Sequence, residues 1–332
     1  MTRSSKPGPS IQPPLGQPTT SRPPVASIDG RPAASSTLTT LSLFAFVVTA
    51  WSLNWIAMKV AVQEVSSLWA VAIRTGLAAL VLFPALLVAG QLRRPSGADL
   101  SMLLVISLFH MTGFAALMTA GLALVPAGRA VVLGYTTPLW VTPAAFLFLG
   151  ERVSIWQAVG ILVGLAGLLS LFGPASLDWG DRQALVGQGL LLAASLSWSV
   201  SIIYTRLHRW VSTPLQLVPW QCLLATTVLV GLATTVDGAP PDPFRMSGRV
   251  LLSLAYNGVI GTALGFWAMM VVSRQVSATT ASLGFLATPL LGIGLSAAIL
   301  GERLDPGLIV SALVIVAGIV MGTIGRTSPD PR

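Results

Sequence analysis

The sequence predicts an all-α, polytopic membrane protein with ten transmembrane helices, arranged as two inverted five-helix repeats around a central cavity. Three observations predict it. Of 332 residues, 54% are hydrophobic and 9% charged, whereas a soluble domain carries roughly 25% charged residues. The apolar residues fall in runs of about 20, the helical length that crosses a bilayer core. A segment of the first half also reappears in the second.

The elements follow in order. Residues 1–36 are rich in Pro, Ser, Thr and Arg and bury too little apolar surface to fold, so a disordered cytoplasmic tail is expected. The tail is not a cleavable signal, because the first apolar run is too long and too far from Met1. Helices are predicted at 38–61, 66–90, 97–121, 125–149, 155–173, 185–207, 214–236, 247–272, 276–300 and 306–325. Turn and charge signals separate them, among them Arg93-Arg94-Pro95-Ser96-Gly97, Asp237-Gly238-Ala239-Pro240-Pro241 and Gly301-Glu302-Arg303. The polar stretch from Gly173 to Asp181 divides the halves. The resulting organisation is a first repeat at 37–173, an external linker at 174–184, a second repeat at 185–326 and a cytoplasmic tail at 327–332.

The net charge of +8 does not point to nucleic acid, because most of the basic residues lie in the tail and in short loops. They read as topology determinants. With the N-terminus inside, twelve Lys and Arg fall on the inner side and five on the outer, while Lys59 and Arg74 lie within helices. Both termini are therefore expected in the cytoplasm, with the chain multi-pass in the inner (plasma) membrane. The lone Cys222 sits in an apolar run, and no metal-ligand spacing, phosphate-cradling glycine loop or nucleophile–base–acid set occurs. No cofactor, metal or catalytic residue is predicted, and the chain is not read as an enzyme.

Residues 125–152 and 276–303 are identical at ten of 28 positions without a gap; composition alone would give roughly three. Thr137-Pro138-Leu139 falls on Thr288-Pro289-Leu290, and Gly150-Glu151-Arg152 on Gly301-Glu302-Arg303. A weaker register, shifted by 147, pairs Trp51-Ser52 with Trp198-Ser199, Asn54 with Ser201, Lys59 with Arg206 and Arg74 with Gln221. Five helices is an odd number, so the second copy sits upside down relative to the first. Inverted repeats mark secondary transporters, whose halves rock to expose a central site to each side in turn.

At Trp51-Ser52 with Asn54, at Arg74, and at the doubled signatures from Pro138 to Arg152 and from Pro289 to Arg303, the chain resembles EamA-type carriers. These belong to the drug/metabolite transporter superfamily. The resemblance spans about 38–325 and implies ten helices, a central cavity and transport of amino acids or related metabolites. The second copy departs from the pattern at Ser201 and Gln221, so the copies are not expected to share duties at these positions.

Candidate substrate-binding residues are Trp51, Asn54, Arg74, Trp198, Ser201, Tyr204 and Gln221. Arg74 is a cation about two turns into helix 2, tolerable there only beside a cavity or partner. It either docks an anionic group or pins neighbouring carbonyls. Trp51 and Asn54 share a helix face and offer an apolar wall and an amide, or serve as interhelical glue. Lys59 and Arg129 lie near outer helix ends, where they snorkel or join Arg74 in a positive vestibule. His110 is either a proton relay or a packed neutral imidazole. Pro138 and Pro289 each remove a backbone hydrogen bond and are candidate flex points. Trp55, Trp69, Trp140, Trp210 and Trp220 read as packing or interface residues, and Glu151 and Glu302 as local partners of Arg152 and Arg303. The glycine-rich helices 5 and 10 scaffold the bundle or form a homodimer seam.

None of the 11 acidic residues lies in the middle of a predicted helix. A cation-coupled carrier usually places a carboxylate there, so the expected substrate is a neutral, zwitterionic or anionic small molecule. An exporter of amino acids is the leading expectation, multidrug efflux the nearest rival, and a channel or non-transporting scaffold the alternative of another class.

Overall fold

A computed structural model describes residues 37–150, 153–171, 180–276 and 284–324. The predicted tails, much of the linker, Glu151 and Arg152 lie outside the described residues. The described chain from Thr37 onward forms one unit, and no strand occurs among the described residues.

The helices are α1 (Thr37–Ala61), α2 (Ser67–Val88), α3 (Gly97–Leu124), α4 (Ala127–Leu149) and α5 (Ile155–Ser170). The second half supplies α6 (Arg182–Leu207), α7 (Pro214–Val236), α8 (Gly248–Val272), α9 (Ala287–Leu300) and α10 (Pro306–Ile324). Eight of these are long and apolar enough to cross a membrane, while Ile155–Ser170 and Ala287–Leu300 are shorter apolar helices. Large apolar side chains project outward all round, such as Leu80, Leu147 and Leu252 at 71%, 71% and 72% exposure. A water-facing surface does not tolerate so much exposed apolar area, whereas hydrocarbon does.

Helix ends carry local causes. Ser154 and Gln157 form a reciprocal capping box at the start of α5, and Thr213 with Gln216 does the same for α7. Gly150 and Gly301 close α4 and α9 at φ 65° and 69°, left-handed positions at which a Cβ is penalised. They occupy equivalent places in the repeated sequence.

The helix pairings are mutual between the halves. α1 packs on α8 and α6 on α3, α2 on α7, α4 on α9 and α5 on α10. In the last pair, glycines remove the side chains that would keep the helices apart. A Cβ at Gly167 would lie 2.8 Å from the Ile315 nitrogen, and Ser170 Oγ meets Ser311 Oγ at 2.6 Å. Glycines of α5 and α10 are therefore used against each other within the chain.

Three helices are irregular where they surround the centre. α3 is π-helical over Ile106–Phe114 and α8 over Tyr256–Leu264, equivalent stretches of the two halves. π segments inside helices recur at functional sites. α4 breaks after Gly134 and resumes at Thr137. The break has a chemical cause: Pro138 has no N–H to offer the Gly134 carbonyl, and Thr137 Oγ1 donates to it at 3.0 Å instead. Thr136 Oγ1 donates to Leu133 O at 2.6 Å. Pro138 thus opens the second segment of the interrupted helix. Pro289 is buried in the first turn of α9.

Candidate functional site

A cavity of about 110 Å³ lies at mid-bundle, where α1, α2, α3, α4, α6 and α8 converge. Both π-helical stretches contribute to its wall, His110, Met111 and Phe114 from one and Gly261 and Thr262 from the other. On one side, α1 approaches α8 closely because Gly261 has no side chain; a Cβ there would collide with Asn54 Oδ1. Trp51 Nε1 donates to Gly261 O at 3.1 Å. On the other, α6 approaches α3 at Gly113, and Ser197 Oγ donates to Phe109 O at 2.7 Å. These contacts aim the Trp51 and Trp198 rings at a shared interior.

The interior is aromatic. His110 stacks on Trp198 with centroids 5.2 Å apart and planes 13° apart. Phe114 lies 5.0 Å from Trp198, and Trp51 meets Phe266 edge-on at 6.2 Å. Trp55 and Tyr135 face each other at 6.5 Å.

Arg74 is the cation of this wall. It is 8% exposed, and its Nε has no hydrogen-bond partner. Among the described residues no carboxylate pairs with it and none lines the cavity. An unpaired guanidinium amid aromatic rings attracts an anion, since the low dielectric strengthens any charge that enters. Asn54 Oδ1 is likewise buried without a partner.

A second cavity of about 300 Å³ adjoins the first, with Tyr135 and Trp198 common to both walls. It lies between α4, α6, α10 and the residues just before α9, reaching Arg206 and Thr323 near the ends of α6 and α10. This is the end that the charge pattern predicts to be cytoplasmic.

The sequence profile described as the EamA-like transporter family matches residues 38–173 and 185–324, almost the whole described chain. The chain belongs to that family. It is a multi-pass membrane transporter. This EamA-like transporter is similar to an uncharacterized transporter of Bacillus subtilis, YoaV, at 27% identity over 277 residues, 83% of this chain and 94% of that one. A protein of Escherichia coli named probable amino-acid metabolite efflux pump is 29% identical over 292 residues, 84% of this chain and 93% of its own. A solved crystal structure matches with a TM-score of 0.59 at 21% identity, over 86% of this chain and 97% of that one, a likeness of fold.

Of the predicted binding residues of this EamA-like transporter, Trp51, Asn54, Arg74 and Trp198 line the central cavity. Ser201, Tyr204 and Gln221 do not. Ser201 is buried with an unpartnered hydroxyl, and Tyr204 stacks on His208 with centroids 6.2 Å apart. Gln221 is buried in α7, whose neighbouring face binds α2 through Thr226 Oγ1 donating to Thr75 Oγ1 at 2.8 Å. Pro138 lines the second cavity.

The basic vestibule does not form. Lys59 Nζ donates to Leu122 O and Val125 O, each at 2.7 Å, and so caps the end of α3 instead of snorkelling. Arg129 faces Asp305 at 3.9 Å. Glu302 binds not Arg303 but the first backbone N–H groups of α4. His110 lines the cavity, as do Trp55, Phe114, Tyr135, Thr262 and Phe266. Trp55 is packed in the core, as its sequence setting predicts, and lines the cavity as well. Trp69 and Trp220 donate elsewhere, to Gly238 O at 3.3 Å and to Arg93 O at 2.9 Å.

Proposed function

We propose that the chain is a secondary carrier working by alternating access, which exports an amino acid or related zwitterionic or anionic metabolite across the inner membrane. The observation that carries this reading is Arg74, a buried guanidinium with a free Nε on the wall of a midplane cavity that holds no carboxylate among its lining residues. Arg74 docks the substrate carboxylate, and Trp51, His110 and Trp198 wall its body. Asn54 lies within the same cavity to bond a polar group. The adjoining larger cavity is the cytoplasmic approach, which fits loading from inside and both termini in the cytoplasm. Support for amino acids comes from the relatives named as amino-acid metabolite efflux pumps. Cationic drugs would need an acidic group that this wall lacks, so multidrug efflux has less support.

The test is counterflow in proteoliposomes over a panel of radiolabelled amino acids and organic acids. Trans-stimulated uptake of at least one of them is expected, because a carrier, unlike a channel, exchanges through one alternating site. Arg74→Ala should reduce that flux by about 10- to 100-fold, the loss of one charge-assisted contact, while leaving membrane insertion intact. Equal flux by both proteins would defeat the carboxylate dock.

A further inference from the structure

The end of the bundle opposite the larger cavity is fastened by charged side chains that reach between the halves. Glu302 follows α9, yet its Oε1 accepts from Ala127 N at 2.6 Å and its Oε2 from Gly128 N at 3.0 Å. These are the first two donors of α4, which have no partner within their own helix. The positive end of the α4 dipole adds to the attraction. Pro126, just before them, cannot donate. Both carboxylate oxygens are thus used on one helix start, 175 and 174 residues away in sequence.

The geometry around this contact is close. A Cβ at Gly128 would lie 3.0 Å from Ser296 Oγ, a tight approach, and 3.7 Å from Glu302 Oε2, an ordinary contact, so the glycine keeps the start of α4 close against α9 beside the carboxylate. Lys59, from α1, holds the other side of the same short turn through Leu122, Ala123 and Val125 carbonyls. A cavity of about 240 Å³ lined by Pro126, Arg129, Ser296, Glu302 and Asp305 sits beside it. Toward the other end, by contrast, Thr137, Pro138 and Thr142 of α4 and Phe285 and Leu286 just before α9 line the second cavity.

We propose that Glu302 is a gating residue: its carboxylate latches α9 to the start of α4 and so holds this end shut while the other end is open. The inference rests on the alternating-access reading, because a latch matters only if the end it fastens must open during transport. Two anionic hydrogen bonds to backbone donors are strong enough to bias a conformational balance and local enough to be exchanged for water when the helices part.

The experiment uses the full chain with Cys222→Ser and one new thiol, Ser296→Cys, beside the latch in a position that is 1% exposed. In proteoliposomes, a membrane-impermeant maleimide added on the latch side should label it slowly. Glu302→Gln keeps the shape and removes the charge, and should speed labelling by about tenfold, the scale of one charged hydrogen bond. Glu302→Ala removes the carboxylate altogether and should speed labelling in the same direction. A thiol on the far cavity wall, Thr323→Cys, labelled from its own side, should slow in both variants, which a general loosening of the fold would not produce. Unchanged labelling of Ser296→Cys in both monodisperse variants would overturn the latch. Counterflow by the wild type is read separately: if it occurs while labelling stays unchanged, the latch fails and the carrier stands.

Discussion

The two halves of this transporter share a plan of packing but not a set of chemical duties. Each half lays its first helix on the other's π-helical third, α1 on Tyr256–Leu264 and α6 on Ile106–Phe114. Each contributes a tryptophan to the cavity, Trp51 and Trp198. Beyond that they diverge. Arg74 faces the cavity with an unused donor, whereas Gln221, its counterpart, is buried away from it. Asn54 lines the wall and Ser201 does not. Duplication supplied two helix bundles that pack on one another; Asn54, Arg74 and His110 enter the cavity wall from the first.

The largest effect expected of this asymmetry lies at Arg74. Arg74→Gln makes the two copies alike at this position and should lower counterflow by about 10- to 100-fold, since a neutral amide cannot replace a charged bond. Gln221→Ala should leave counterflow within about threefold of wild type, because this buried side chain lies outside the cavity wall. Comparable losses in the two variants would mean that the halves share the substrate after all.

The glutamates offer a second comparison. The repeat places Glu151 at the position equivalent to Glu302. If the halves take turns as gates, Glu151→Gln should shift labelling of a latch-side thiol at Ser296→Cys in the opposite direction from Glu302→Gln, by about tenfold at most. Shifts of the same sign would show that only one half carries a latch.

Much of the fold was legible in the sequence, and the reason is solvent. Apolar runs long enough for hydrocarbon end abruptly at Gly, Pro and charge clusters, so α4 and α9 terminate at the repeated Gly150 and Gly301; the start of the ninth helix, predicted at 276, is not matched, since α9 begins at Ala287. Arg74 was legible because a cation in such a run demands an explanation. The aromatic wall was not. In water, a polar face reveals which way a helix points; in a bilayer both faces are apolar, so Trp55, Tyr135, Phe114 and Phe266 looked like any lipid-facing or packed ring. The π-helical stretches leave no periodic signature, and it is they that turn His110 and Thr262 inward. Glu302 was misread because its partners, Ala127 and Gly128, are backbone groups that only the folded chain brings near.

Smaller effects should follow at the glycines that admit α1 and α6. Gly261→Ala sets a methyl against Asn54, and Gly113→Ala sets one 2.7 Å from Ser197 Oγ. Each overpacks a helix contact and should cost about 1–3 kcal/mol of stability. Asn54 lines the cavity and Ser197 does not. Substrate affinity, measured by competition in counterflow, should therefore change in Gly261→Ala and hold in Gly113→Ala.

The smallest expected effect distinguishes two fasteners at equivalent helix starts. Asp99, buried at the start of α3, accepts from Val211 N at 3.1 Å and Ser212 N at 2.7 Å and meets His208 Nε2 at 3.0 Å. Losing such a buried anion, as in Asp99→Asn, should cost about 1–3 kcal/mol. At the start of α8 the same task falls to Glu64, which is exposed and accepts from Ser247 N at 2.8 Å. The Ser247 side chain, and then its backbone N–H, hold the Glu64 carboxyl below its ordinary value of 4.5. A carboxyl more acidic in the folded chain than in the unfolded one stabilises the fold above that ordinary value. The contribution is lost as pH falls through the lower, folded value. Melting curves in detergent at pH 7 and pH 4 should show a slightly larger acid-induced drop for wild type than for Glu64→Gln. Because Glu64 is in water, the difference should shrink further in high salt; a drop as large as that from Asp99→Asn would mean that the two fasteners are equivalent despite their unequal burial.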